Sequence, residues 1–362
     1  MTYVLIIAAL IVATLIIYLR ITYRGLSGED LRQYDRMISP HGTAVQSDAL
    51  NTLNAYLDEE FGRPAVSGAS KSGWNAKRER FDAAGLARKD IQSEFRSDAI
   101  TIDGREITGS WTLVDGYDPG KRILYIHGGG FTVGSDISHR ALTTSLAKRT
   151  GASVFALNYR LMPEHKRSAG IEDARTAYDW IIENGPDGAA PTRTLALAGD
   201  SAGGNLVLML SNWARNSSRK RANAVLALSP ITDSTFSAPS IKANLDKDRM
   251  LRPLIAPLTK IPRLALLLFV KKLYGYAPTH PDISPIYDDL SGLPPTYLLA
   301  SQDETIHDDS ARYAAKMRAN GSPVTFHSWS GGLPHVWPIF DNAIPEANAA
   351  LDDIGTFLNQ HI

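Results

Sequence analysis

The chain has 362 residues, and its 38 basic residues balance its 38 acidic residues. This length allows one large domain with a substantial core, or two domains, and the charge balance gives no electrostatic reason to expect a nucleic acid partner. The chain contains no cysteine, which excludes disulfides, thiolate metal sites and a cysteine nucleophile.

An uncharged apolar run, YVLIIAALIVATLIIYL, covers residues 3–19 and is followed by Arg20 and Arg24. A membrane-spanning helix needs about 20 residues, with a range of about 17–25, so the run is short but sufficient. It lacks the preceding basic residue and the following cleavage site of a signal peptide. We therefore predict a single-pass membrane anchor over residues 1–24, with the main domain in the cytoplasm because the arginines follow the run. The alternative is a buried core helix.

The polar region over residues 25–90 is predicted to be mostly helical. Within it, Leu50, Leu53, Tyr56 and Leu57 recur at the spacing that places side chains on one helix face. From Ile91 onwards, alternating apolar residues in SEFRSDAITI and EITGSWTLV predict antiparallel strands at the edge of a sheet.

After these edge strands, short apolar strands alternate with helical segments. The predicted strands are RILYI (122–126), SVFALN (153–158), TLALA (194–198), AVLALS (224–229), PTYLLA (295–300) and VTFHSW (324–329). Strands that alternate with helices predict an α/β fold with a mostly parallel central sheet and helices on both faces. Residues 235–283 interrupt this rhythm, as an insertion that covers a pocket or as an ordinary buried helical excursion.

Ser201 lies between glycines, in Gly199-Asp200-Ser201-Ala202-Gly203, where a predicted strand ends and a helix begins. This arrangement fits the G-x-S-x-G nucleophile elbow, in which a strained turn exposes the serine Oγ above the sheet. The N–H of Ala202 lies at the helix N-terminus, where the helix dipole favours a developing oxyanion. The alternative is a turn with only a structural role.

Three consecutive glycines follow His127, directly after the strand 122–126. Such a run is costly in chain entropy, which indicates a close approach of another group to the backbone. In an acyl-transfer site, that group is a carbonyl oxygen that becomes anionic and needs two or three N–H donors. We interpret His127 as holding this loop by hydrogen bonds rather than transferring protons.

A catalytic serine needs a base, and the base needs an acid that orients it. His335 lies in the loop SGGLPHVW, between the last strand and the last helix, and can reach back over the sheet. His327 lies inside a strand and is interpreted as a sheet-face residue. Asp303 follows the strand PTYLLA, at the sheet edge where α/β folds place catalytic residues. The alternative acids by proximity are Glu304, Asp308, Asp309 and, at a greater distance along the chain, Asp233.

From about residue 91 to the end, the sequence resembles the hormone-sensitive-lipase-like branch of the α/β-hydrolases. The motifs that carry the resemblance are HGGGF (127–131), YRLMPEH (159–165), GDSAGG (199–204), DISP (282–285), SQDE (301–304) and PHVW (334–337). The resemblance implies an α/β-hydrolase catalytic domain over residues 91–362, with a helical cap formed by residues 25–90 and by an insertion at about 235–283. Two departures are Met162 and Glu304, the latter standing where the family usually has proline after the acid.

The resemblance also implies the site. The catalytic triad would be Ser201, Asp303 and His335. The oxyanion hole would be formed by the N–H groups of Gly129, Gly130 and Ala202, with Gly128 as a further candidate.

The predicted activity is hydrolysis of small-molecule acyl or aryl carboxylic esters through an acyl-enzyme, without a metal or a cofactor. The first alternative is an amidase or deacetylase that uses the same triad. The second belongs to another class, a hydrolase fold that binds a small molecule without catalysis.

Overall fold

The computed structural model describes residues 2–36, 39–62 and 71–362. Residues 1, 37–38 and 63–70 of the predicted N-terminal segments lie outside the described residues. The strands are β1 (Gly42–Thr43), β2 (Glu94–Ile102), β3 (Arg105–Leu113), β4 (Asp118–Ile126), β5 (Ala152–Leu157), β6 (Asn184–Gly185), β7 (Gly188–Ala189), β8 (Thr194–Asp200), β9 (Ala224–Leu228), β10 (Thr296–Ser301) and β11 (Val324–Ser330). The α-helices are α1 (Thr2–Ser27), α2 (Asp48–Gly62), α3 (Lys71–Leu86), α4 (Arg140–Thr150), α5 (Arg167–Glu183), α6 (Ala202–Asn216), α7 (Ser240–Ala243), α8 (Arg252–Ile255), α9 (Arg263–Tyr274), α10 (His307–Ala319) and α11 (Pro345–His361).

Within the described part of the chain, nine strands form one sheet in the order β1-β11-β10-β9-β8-β4-β5-β3-β2. Strand β3 pairs antiparallel with β2 and with β5, and the other pairs are parallel. The predicted mostly parallel sheet with antiparallel strands at one edge is confirmed. Parallel strands are normally covered on both faces, which explains their nearly continuous apolar sequences.

Successive side chains of the central strands point to two separate cores. Leu124 and Ile126 of β4 pack in a core with residues of α5, α6 and α10. Ile123 and Tyr125 of the same strand pack in a second core with residues of α2, α4 and α11. This alternation follows from the two-residue repeat of a strand. Helices therefore cover both faces of the sheet, as predicted.

The predicted membrane anchor is wrong. Among the described residues, no helix has both the length and the apolar character that crossing a membrane requires. Helix α1 continues beyond the uncharged run through Arg20 and Arg24, contacts α9 and buries Leu26. At its end, the Tyr287 hydroxyl donates a hydrogen bond to the carbonyl of Ser27 at 3.4 Å. The predictions of a single-pass location, of its orientation and of the membrane as a partner depended on this anchor and are corrected as well.

The helices of the N-terminal region contact two loops of the sheet domain. In α2, Leu50, Leu53 and Leu57 of the predicted face are buried, whereas Tyr56, predicted on the same face, is 53% exposed. In α3, the Arg78 guanidinium donates hydrogen bonds to the carbonyls of Thr132 and Met162, each at 3.0 Å. The N-terminal region is therefore packed directly against the loop that follows β4.

Candidate active site

Ser201 occupies a strained turn between β8 and α6. Its backbone angles are φ 51° and ψ −113°, a conformation that non-glycine residues rarely adopt. The turn is so tight that a Cβ on Gly203 would lie 1.9 Å from the carbonyl oxygen of Ile126. A Cβ on Gly199 would lie 2.7 Å from the carbonyl carbon of Gly203. The glycines therefore permit the close approach that presents Ser201, which is partly exposed.

Asp200, immediately before the serine, fastens the glycine loop that follows β4. Its buried Oδ1 accepts hydrogen bonds from the Tyr125 hydroxyl at 2.5 Å and from the N–H of Gly128 at 3.0 Å. Burial opposes the carboxylate charge, but the charge and hydrogen bond of His139, with the hydrogen bond from Tyr125, outweigh it and lower the pKa of Asp200. Because the N–H of Gly128 is already used, Gly128 has no free donor for an oxyanion.

The N–H groups of Gly129, Gly130 and Ala202 remain available to a ligand. Gly129 and Gly130 have φ angles of +104° and +60°, which turn the loop away from an extended strand. Ala202 is the first residue of α6, so its N–H has no intrahelical acceptor. Within the described ranges, no protein group accepts a hydrogen bond from these three N–H groups. They are the donors that the sequence predicts for the oxyanion hole.

His127 holds the same loop and does not reach outwards. Its Nδ1 lies 2.7 Å from the carbonyl oxygen of Gly128, and its ring stacks on Tyr159 with centroids 4.5 Å apart. Burial, with a smaller contribution from the charge of His139, lowers the pKa of His127 to about 4. The ring is therefore neutral near pH 7, which fits the predicted supporting role.

His335 is oriented by Glu304 rather than by the predicted Asp303. Both side chains are almost fully buried, and His335 Nδ1 lies 2.5 Å from Glu304 Oε2. The other Glu304 oxygen accepts a hydrogen bond from the N–H of Ser301 at 2.8 Å, which fixes the carboxylate. Asp303 instead accepts a hydrogen bond from the N–H of Gly332 at 2.8 Å. It therefore supports the histidine loop without contacting the imidazole.

The other candidate acids also lie away from His335. Asp308 accepts a hydrogen bond from the N–H of Ser240 at 2.8 Å. Asp309 accepts hydrogen bonds from the N–H groups of Thr232 and Asp233, at 2.7 and 3.0 Å. Asp233 itself accepts hydrogen bonds from the N–H and the hydroxyl of Thr235. These carboxylates organise the chain around β9 and α10, and Glu304 alone among the named candidates contacts the histidine.

The surroundings of His335 favour its protonated form. Burial by itself disfavours the imidazolium, but the hydrogen bond and charge of Glu304, with the charges of Asp248 and Asp200, raise the pKa of His335 overall. Its Nε2 is buried and, among the described residues, has no hydrogen-bond partner. That nitrogen is the one left to accept a proton while Nδ1 is bound to Glu304.

The end of β9 fastens the serine turn and the histidine loop at adjacent residues. The N–H of Ser201 donates to the carbonyl of Leu228 at 2.7 Å. The hydroxyl of Ser229 accepts a hydrogen bond from the N–H of Val336 at 3.3 Å. Leu228 and Ser229 are consecutive, so Ser201 and the residue after His335 are fixed to one point of the sheet.

Two residues of the insertion, which the sequence motifs did not identify, clamp the loop that carries Glu304. Asn244 donates hydrogen bonds to the carbonyls of Gln302 and Glu304, at 2.8 and 2.9 Å. Asp248 accepts hydrogen bonds from the N–H and the hydroxyl of Thr305, at 2.7 and 2.9 Å. Neither residue belongs to a motif, and only their contacts show that they hold the loop of Glu304.

Comparisons with known proteins agree with this geometry. Residues 123–339 match the family described as the alpha/beta hydrolase fold. An acetyl-hydrolase of Streptomyces hygroscopicus is 33% identical over 72% of this chain and 82% of its own length. An esterase of Acinetobacter venetianus is 32% identical over 65% of this chain and 73% of its own length. The crystal structure of an esterase from the bacterial hormone-sensitive lipase family superposes with a TM-score of 0.72 at 28% identity, over 88% of this chain and 99% of that one. The chain therefore belongs to the α/β-hydrolase fold family, and within that family it is similar to esterases of the hormone-sensitive lipase type.

Proposed function

We propose that the protein hydrolyses small-molecule acyl or aryl carboxylic esters through an acyl-enzyme formed on Ser201. Relatives named esterase and acetyl-hydrolase confirm the expectation of an ester-hydrolysing serine hydrolase. The observation that carries the mechanism is the buried pair of His335 and Glu304, with Nδ1 and Oε2 2.5 Å apart. We propose the triad Ser201, His335 and Glu304 in place of the predicted triad with Asp303.

The reaction would proceed in two halves. In the first, Ser201 Oγ attacks the ester carbonyl carbon while His335 Nε2 takes the hydroxyl proton. The carbonyl oxygen becomes anionic and accepts hydrogen bonds from the N–H groups of Gly129, Gly130 and Ala202. The intermediate then collapses, and His335 returns the proton to the departing alcohol. In the second half, water attacks the acyl-enzyme in the same way and releases the carboxylic acid and Ser201.

Glu304 would act on the imidazole and not on the substrate. Its carboxylate keeps the Nδ1 proton in place, so Nε2 presents its lone pair to the serine. When Nε2 is protonated, the same carboxylate stabilises the imidazolium without taking a proton itself. The same stabilisation of the imidazolium by Glu304 raises the pKa of His335.

The helical cap also remains a proposal. It is supported by α2 and α3, the helices of the N-terminal region, which contact the loops of the site. Gln46 and Asn54 donate hydrogen bonds to the carbonyls of Gly331 and Gly332, in the loop that leads to His335. We propose that residues 25–90 and the insertion at about 235–283 together cover the site and select the acyl group.

The test is hydrolysis of p-nitrophenyl acetate and butyrate by the full chain and by Ser201→Ala. We expect the variant to lose several orders of magnitude in rate. The oxyanion hole alone can still accelerate the reaction about 10³–10⁴-fold over the uncatalysed reaction in water. Ser93→Ala, which changes a serine whose hydroxyl only contacts the adjacent carbonyl of Gln92, is the matched control. Full turnover by Ser201→Ala would show that this serine is not the nucleophile. The corresponding anilide substrates, assayed in parallel, compare amide with ester cleavage.

A further inference from the structure

Arg167, the first residue of α5, is a buried cation that the proposed ester hydrolysis does not use. It is 2% exposed, and two other arginines of the described chain are buried as deeply. Arg122 donates hydrogen bonds to main-chain carbonyls at 2.8–2.9 Å, and Arg312 pairs with Asp35 at 2.6 Å. Buried charges are normally neutralised in one of these ways. Arg167 has neither arrangement.

The guanidinium of Arg167 is held by one amide and one aromatic ring. Its Nη2 donates a hydrogen bond to Asn205 Oδ1 at 2.8 Å, and its central carbon lies 3.8 Å from the centroid of the Phe131 ring. Its Nε is buried and, among the described residues, has no hydrogen-bond partner. Within the same part of the chain, no carboxylate forms an ion pair with it. A guanidinium has five N–H donors, so most of its hydrogen-bonding capacity is unused.

The groups around Arg167 do not neutralise its charge. Three tyrosines lie close enough to influence it, namely Tyr159, Tyr274 and Tyr276. Burial raises the pKa of each tyrosine, so their hydroxyls are neutral near pH 7. The remaining acidic neighbour, Asp282, is paired with Arg175 at 2.5 Å. Burial lowers the pKa of Arg167 to about 10, so the guanidinium is still charged near pH 7.

Both groups that hold the guanidinium adjoin the proposed catalytic residues. Asn205 lies one helical turn after Ser201, and its N–H donates to the Ser201 carbonyl at 3.1 Å. The side-chain amide of Asn205 donates to two main-chain carbonyls, each at 2.9 Å, which leaves Oδ1 for Arg167. Phe131 directly follows Gly130, a proposed oxyanion donor. The cation therefore lies beside the place where a bound ester would react.

The insertion forms the wall on the far side of Phe131. The Phe131 ring meets the ring of Tyr274 edge to face, with centroids 6.2 Å apart. Tyr274 is the last residue of α9 and is partly exposed, whereas Arg167 is not. A ligand group that reached Arg167 would be shielded from water, where opposite charges attract more strongly than in bulk solvent.

We propose that Arg167 forms an anion-binding subsite and selects esters that carry a carboxylate in addition to the ester bond to be cleaved. This inference rests on the proposed ester hydrolysis. A carboxylate can accept two parallel hydrogen bonds from a guanidinium, and it would supply the charged partner that Arg167 lacks. A neutral ester would leave the buried cation unpaired. The carboxylate can belong to the acyl part or to the alcohol part of the ester, and two pairs of substrates distinguish these cases.

The experiment compares matched anionic and neutral esters on the full chain. In the first pair, p-nitrophenyl hexanoate and the mono-p-nitrophenyl ester of adipic acid differ by a carboxylate at the end of the acyl chain. In the second pair, p-tolyl acetate and p-acetoxybenzoate differ by a carboxylate on the alcohol part. For each pair, the ratio of kcat/KM for the anionic ester to kcat/KM for the neutral ester is measured. We expect the unaltered protein to prefer the anionic ester in at least one pair.

Variants assign this preference to Arg167. Arg167→Met removes the charge but keeps a long side chain that can pack on Phe131. It should lower the ratio for the preferred pair by about 10–100-fold, because a hydrogen bond between charged groups is lost. Arg167→Lys keeps the charge without the forked donors and should retain part of the preference. Lys166→Met, which removes the adjacent exposed cation, is the matched control and should keep the full ratio.

The outcomes separate this inference from the proposed function. If none of the four esters is hydrolysed, the proposed function is overturned, and the inference falls with it. If the neutral esters are hydrolysed but the unaltered protein prefers them in both pairs, only the anion-binding subsite is wrong. Equal ratios for Arg167→Met and Lys166→Met would also overturn it and leave Arg167 as a structural residue that packs on Phe131. Circular dichroism in the far ultraviolet verifies that each variant is folded.

Discussion

Glu304 Oε2 and His335 Nδ1 lie 2.5 Å apart, while the neighbouring Asp303 binds the N–H of Gly332. Two consecutive acidic residues therefore have different tasks at the end of β10. The longer side chain reaches the imidazole, and the shorter one holds the turn from which the histidine loop starts. This division of roles can be tested by changing each carboxylate separately.

Glu304→Gln should lower kcat by about 10⁴, the loss found when the orienting carboxylate of a triad becomes an amide. The amide cannot stabilise the imidazolium and permits the wrong tautomer of His335. The measurement is initial-rate kinetics with p-nitrophenyl butyrate. Asp303→Asn keeps an oxygen acceptor for Gly332 and should cost far less. If Asp303→Asn is the more damaging change, the proposed acid is wrong.

The pH profile should report the raised pKa of His335. Catalysis requires the neutral imidazole, so kcat/KM should rise with pH, with a midpoint above the ordinary histidine value of 6.5. Because folding raises this pKa, the associated stabilisation is complete below pH 6.5 and is lost as pH rises through the folded-state pKa. Glu304→Gln should move the kinetic midpoint downwards. A midpoint below 6.5 in the unaltered protein would contradict the assignment.

Asp248→Asn should impair catalysis although Asp248 does not touch the imidazole. Its Oδ2 accepts two hydrogen bonds from Thr305 and fixes the loop that carries Glu304. An amide in that position can leave a buried donor unsatisfied, which costs about 1–3 kcal/mol. We expect kcat to fall more than KM changes. Asp246→Asn is the matched control in the same segment, because the Asp246 side chain is 89% exposed. Equal kinetics for the two variants would exclude the positioning role.

Gly203→Ala should destabilise the fold through the serine turn. The new Cβ would lie 1.9 Å from the carbonyl oxygen of Ile126, and neither backbone segment can move without displacing β4 or α6. Overpacking usually lowers the free energy of unfolding by about 1–3 kcal/mol. Because this clash is with the backbone, we expect a loss at or above the upper end of that range. Urea denaturation measures the loss. Gly25→Ala, in open space on α1, should not destabilise the protein. Similar stability for both variants would show that the turn relaxes.

Several features could be predicted from the sequence because they depend on local constraints. The apolar runs predicted the central strands, and their alternation with helices predicted a mostly parallel sheet. The elbow around Ser201 was recognisable because a turn this tight requires small residues at Gly199 and Gly203. The glycine loop after β4 was recognisable for the same reason. The N-terminal apolar run was misread, since its composition does not show how far α1 extends or that it contacts α9.

The tertiary structure decided what spacing along the chain leaves open. Asp303 and Glu304 follow the same strand, and only the placement of the histidine loop, whose Leu333 carbonyl accepts a hydrogen bond from the Ser301 hydroxyl, determines which carboxylate reaches His335. Likewise, Gly128 resembles Gly129 in sequence, but Asp200 occupies its N–H. The clamps from Asn244 and Asp248 belong to no motif. Backbone conformation is encoded by near neighbours, whereas the partner of a polar group depends on side-chain direction and on distant segments that folding brings together.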